Sequence, residues 1–197
     1  MMKTIKLIIF LTLLFTSFFL NAQKIDTSQV VELKRKAKFF VNDLQRDSAI
    51  VYYKKIAAIY KFNKLWEQYF ECSLNVTLNL ALTNKPAEAR EAIQIILKDS
   101  EQHIDEYGLK KARCYRQLAV LKVNDEKYKD ALSLFDKALS FLKVNSKTVK
   151  LKLGILLGKS TAYGRLNYPT KGFKMINEGL SLYFERAKKL QIKISEI

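Results

Sequence analysis

The side chains able to do chemistry in this sequence are few, and their spacing favours binding over catalysis. His103 is the only histidine. It lies in the polar stretch "SEQHIDEYG", where a lone imidazole reads as a surface residue, and no second one exists to share a metal ion. The two cysteines, Cys72 and Cys114, are 42 residues apart, with no Cys-x-x-Cys pair. No glycine-rich phosphate loop and no nucleophile elbow occurs. These features predict a protein that is not an enzyme and uses no metal or cofactor. The remaining chemistry is cationic. Lys34 and Lys38 are four apart and Arg113 and Arg116 three apart, so each pair shares one helical face. Guanidinium forks suit carboxylate or phosphate groups.

The elements that must carry these residues are helices. The chain has 197 residues, 49% of them hydrophobic, with 6 Gly and 2 Pro, a composition for long uninterrupted helices around a sizeable core. "SQVVELKRKAKFFV" (28–41) places Val30, Leu33, Ala37, Phe40 and Val41 at three- and four-residue intervals opposite a lysine-rich face. "NKLWEQYFECSLNVTLNLAL" (63–82) does the same with Leu65, Trp66, Tyr69, Phe70 and Val76. Strand alternation is absent over any useful length. Polar breaks fall at 42–47, 83–85, 124–127 and 166–168, and Pro86 and Pro169 follow two of them directly, in the place proline suits in a first helical turn. Asn75-Val76-Thr77 matches a glycosylation acceptor, but it falls inside a helix and is discounted.

Residues 1–22 stand apart. Lys3 and Lys6 precede the apolar run "LIIFLTLLFTSFFL" (7–20), and Ala22 supplies a small residue at a cleavage point before Gln23. This is the pattern of a secretory signal peptide; a retained membrane anchor is the alternative, but the run is shorter than the roughly 18 to 20 apolar residues that span a bilayer. It predicts an exported, periplasmic or secreted protein with no membrane span after signal removal. Loss of Lys3 and Lys6 with the segment takes the net charge from +16 to +14. Such a charge attracts anionic partners, and export makes nucleic acid an unexpected one.

The stretch "YKDALSLFDKAL" (128–139) shows how the helices are arranged. It has small residues at Ala131 and Ala138 and a large ring at Phe135. The same small position recurs at Ala49, Ala89 and Gly172, at spacings of 40, 42 and 41. Tyr53, Ile93 and Ile176 then fall on Phe135, and Gly179 falls on Ala138. Twelve residues upstream of each small position stand Ala37, Thr77, Ala119 and Ser160, all small or short. A period in this range marks stacked repeats. Small residues let two antiparallel helices approach to roughly 8 to 10 Å, and the neighbouring ring fills the space beside the crossing.

This pattern resembles the tetratricopeptide repeat, a helix-turn-helix unit with small and large residues at fixed positions. The resemblance implies an all-α fold, a right-handed α-α superhelix of about four repeats near 28–62, 63–100, 105–144 and 147–190, within a domain spanning 23–197. The units are longer than the family's usual repeat of about 34 residues, and the extra length is expected as helical turn at the junctions. Cys72 and Cys114 become equivalent positions on adjacent first helices, where a disulfide is awkward.

In this family the first helix of each repeat lines a concave groove. The resemblance therefore implies Lys34, Lys38, Arg113, Arg116 and Arg165 as groove residues, around a more apolar middle of Leu74, Leu78 and Val120. The expected function is protein-protein interaction, with an extended acidic segment of a partner held in the groove. A second reading is a basic envelope protein that binds anionic surfaces or glycans through diffuse charge.

Overall fold

The computed structural model describes residues 27–103, 108–143, 145 and 148–195; the signal-like segment lies outside them. The described residues form eight α-helices and no strand. They are α1 (Thr27–Asn42), α2 (Arg46–Phe62), α3 (Trp66–Leu82), α4 (Pro86–Glu101), α5 (Leu109–Asn124), α6 (Tyr128–Phe141), α7 (Val149–Arg165) and α8 (Pro169–Ser195). Each helix contacts the next. In addition α3 touches α5 and α5 touches α7, so the first helices of the second, third and fourth repeats lie side by side. This is a helical solenoid of tetratricopeptide-like, helix-turn-helix units.

The helix ends follow one local rule. After α2, α3, α5 and α7 a left-handed residue, respectively Lys64, Asn84, Glu126 and Asn167, breaks the helix at φ of 57°, 57°, 60° and 61°. The next amide then reaches back to a free carbonyl: Leu65 N–H to Tyr60 O, Lys85 to Leu80, Lys127 to Lys122 and Tyr168 to Tyr163, all at 2.9–3.0 Å. This is the Schellman closure, which satisfies carbonyls the helix leaves unpaired. Leu44 after α1 is also left-handed, at φ 58°. Pro86 opens α4 and Pro169 opens α8. Ahead of α7, Asn145 and Thr148 cap each other, Thr148 N–H to Asn145 Oδ1 at 3.2 Å and Asn145 N–H to Thr148 Oγ1 at 2.9 Å.

The extra length of the units is not all helical. Between α2 and α3 a short turn suffices, because both helices are 17 residues long and absorb the surplus. At two other junctions the described residues 102, 103 and 108, and 142, 143, 145 and 148, lie outside the helices.

Ala37, Ala49, Ala89, Ala119, Ala131, Phe135 and Ala138 are fully buried, and Gly172 and Gly179 are buried too. Tyr53 is half-buried. The core runs as two clusters that meet on α5: Cys114 and Leu121 join the first, Ala119 the second. That one helix serves both follows from stacking, since each unit leaves a face for the next to cover.

Candidate functional site

The repeat register sorts the first helices by face. Glu32, Cys72, Cys114 and Ile155 are equivalent, and the last three are buried. Lys38, Leu78, Val120 and Thr161 are likewise equivalent, and all four are exposed. One turn further on, Asn42, Leu82, Asn124 and Arg165 are exposed as well. Leu78, Leu82 and Val120 keep 41%, 55% and 36% of their surface open, an apolar strip across α3 and α5 with Lys38 at one end and Arg165 at the other. Leu74 is not part of it. The residue is 1% exposed and belongs to the core. The close approach of α3 and α5 encloses it: Gln117 donates from Nε2 to the Leu74 carbonyl at 3.2 Å, and the single Thr77 hydroxyl proton is shared between that carbonyl, at 2.9 Å, and Gln117 Oε1.

The five cations do not form one cluster. Among the described residues α1 makes no contact with α5. Lys34 is exposed, its ammonium 5.3 Å from the Tyr60 ring, and hydrogen bonding to Tyr60 holds it above its usual range. Lys38 and Arg165 are exposed. Arg113 is occupied: both arms of its guanidinium reach the Glu71 carboxylate. Arg116 lies half-buried, and its Nε is buried with no hydrogen-bond partner. Burial, with Arg113 nearby, pushes its guanidinium below the usual range. Gly154 on α7 makes the room, since a Cβ there would sit 3.1 Å from Arg116 Nε.

A cleft of about 480 Å³ opens beside α3, with Lys34 of α1, Tyr53 of α2 and Glu71, Cys72 and Asn75 of α3 in its walls. Burial raises the Tyr53 phenol and pushes the Cys72 thiol up to about 11. Cys72 is therefore a thiol rather than a nucleophilic thiolate at neutral pH. Neither Cys72 nor Cys114 is in a disulfide.

His103 is not a plain surface residue. Its ring stacks on Trp66 with centroids 3.8 Å apart and 24° between planes. Nearby, Tyr69 donates to Asp99 Oδ2 at 2.5 Å and Lys61 to the same oxygen at 2.9 Å, tying α2, α3 and α4 together. The arrangement is structural, joining consecutive units. The sequence reading missed Leu82, which the repeat register identifies as the neighbour of Leu78 on the open face.

No protein-family model matches the chain, and no curated protein matches it. Solved structures do. A chain of the APC/C hetero-tetramer Cut9-Hcn1 superposes over 78% of this chain at 15% identity and a TM-score of 0.44. The MamA protein superposes over 82% at 13% identity and a TM-score of 0.47. The present chain spans 33% of the matched chain of the first and 96% of the second. The fold is tetratricopeptide-like. Its helix pairs stack in sequence order with a 40- to 42-residue register.

Proposed function

We propose that this chain is an exported helical-repeat adaptor that holds an extended segment of another protein along the face of α1, α3, α5 and α7. The observation that carries the reading is the open strip of Leu78, Leu82 and Val120 between Lys38 and Arg165. Apolar side chains left exposed in register, with cations at either end, fit an acidic segment that also carries a few apolar residues. The leader-like residues 1–22 support a periplasmic or secreted setting. No described helix is long and apolar enough to cross a membrane.

The net charge of +16 favours a second reading, diffuse binding to anionic surfaces or glycans. One experiment separates the two. A photo-crosslinking residue is placed at Leu78 or Val120, and as a control at Val51, which is 51% exposed on α2. The adaptor reading expects one protein captured from the envelope fraction at the first two positions, retained in high salt and lost on charge reversal of Lys38 and Arg165. Equal capture at Val51, or loss of all capture with salt, supports diffuse binding and removes the adaptor.

A further inference from the structure

The last helix has an apolar side that nothing in the described chain covers. Phe173, Leu180 and Phe184 are 65%, 48% and 64% exposed. Their spacings of seven and four set them in one line along α8. Tyr183 flanks the line, edge-on to Phe184 with centroids 5.9 Å apart. Gly172 and Gly179, about 100° round the helix from this line, lie on its buried side.

The repeat register shows what this side corresponds to. Leu180 is equivalent to Ala57, Leu97 and Leu139, and Tyr183 to Tyr60, Ser100 and Leu142. Ala57, Tyr60 and Ser100 are buried, and the three leucines pack against the core clusters. Each inner second helix, α2, α4 and α6, contacts the first helix of the following unit. On α8 the same side is apolar and bare.

The opposite end of the array has a different surface. Cys72, Cys114 and Ile155 seat the later first helices, and their equivalent in α1 is Glu32. The equivalent of buried Val76 is Lys36. Glu32 is bonded to Arg35 at 2.8 Å and paired with Lys36 at 3.5 Å. Head-to-tail stacking of α8 on α1 of another copy would press these charges onto Phe173 and Leu180, and burying them without new partners is costly. Between Phe173 and Phe184 a second α8 presents no such charges along its line, Lys188 lying one turn beyond Phe184.

We infer that α8 is a dimerisation surface, pairing antiparallel with α8 of a second copy about a twofold axis between Asn177 and Leu180. Phe173 of one copy then lies over Phe184 of the other, with Leu180 beside the axis. The flanking charges select this direction. Lys174 and Glu185 are exposed, eleven residues apart, and so on the same flank of the line. Antiparallel pairing sets Lys174 of each copy against Glu185 of the other, while parallel pairing puts this flank of the two copies on opposite sides of the seam and forms no such pair. Such an interface is self-complementary and closes at two copies.

The test uses the full chain in the expressing cell, read by oxidative crosslinking on non-reducing gels. Asn177 is exposed, and Asn177→Cys is expected to crosslink to its own copy. Phe173→Cys is expected to do so only when co-expressed with Phe184→Cys chains. Lys174→Glu should weaken the Asn177→Cys crosslink about tenfold by setting like charges together, and adding Glu185→Lys should restore it. Self-crosslinking by Phe173→Cys alone, absence of crosslinking at residue 177, or no rescue by the charge swap overturns the antiparallel dimer. These substitutions lie away from Leu78 and Val120, so the outcome is independent of partner capture at that strip.

Discussion

The ring of Phe135 occupies the space where Gly158 lacks a side chain. A Cβ built on Gly158 would lie 2.3 Å from Cζ of that ring, and Phe135 is fully buried between α5 and α7. The aromatic of one repeat is thus seated against the first helix of the next. Gly158→Ala is expected to destabilise the chain by about 1–3 kcal/mol through overpacking, despite alanine's better helix propensity. Gly164 is the control in the same helix, with nothing within 4 Å of its would-be Cβ. Gly164→Ala should stabilise by about 0.5–1 kcal/mol. Urea midpoints at constant m-value measure both, and equal shifts in the two variants would refute the close contact.

Glu126 sits at φ 60° in the turn between α5 and α6, a conformation that costs an L residue about 1–2 kcal/mol. Glycine is free of that cost but loses more backbone entropy on folding. Glu126→Gly is therefore expected to raise stability by about 0.5–1 kcal/mol. Thermal and urea unfolding report the change, and a destabilised variant would contradict the left-handed closure.

Arg116 keeps a buried Nε without a partner, which costs about 1–3 kcal/mol. Arg116→Met retains most of the length and removes the unpaired donor. Stability should hold or rise by about 1 kcal/mol. A loss larger than about 1 kcal/mol would mean that the guanidinium contributes bonds in the folded chain after all.

Asp99 links acid sensitivity to the α2, α3 and α4 contact. Burial by itself raises its carboxyl, but hydrogen bonds from Tyr69 and Lys61 outweigh burial and hold it below its ordinary value of 3.8. A folded-state value below the unfolded one gives stability that is present above pH 3.8 and lost as pH falls through the lowered value. Asp99→Asn should lower stability at neutral pH and flatten the acid limb below pH 4. Chemical denaturation from pH 7 to pH 3 checks this, and an unchanged acid limb counts against the assignment.

Cys72 and Cys114 are buried and in no disulfide, with the Cys72 thiol pushed up to about 11. Native protein should react with a thiol reagent no faster than it unfolds, and denaturant should release two equivalents. Rapid labelling without denaturant would show that the cleft beside Cys72 admits the reagent.

Much of the fold was legible because stacking imposes a local pattern. Ala49, Ala89, Ala131 and Gly172 must be small where helices cross, so the register appears as residue size alone. The turns were legible from their polar residues and prolines. The site was less so. Helical spacing placed Leu74 and Leu78 on related faces, yet α5 covers one and leaves the other open. Arg113 and Arg116 looked alike in sequence, and the two differ because Glu71 lies within reach of the first and Gly154 admits the second.

The sequence by itself determined that this chain forms amphipathic helices of repeating register, because periodicity and side-chain volume act over neighbouring turns. Only the tertiary structure decided which faces are covered: the strip at Leu78 and Val120, the pairing of Arg113 with Glu71, and the bare line on α8. Each depends on which helix arrives from 30 or more residues away, and hydrophobic spacing along one helix carries no record of that neighbour.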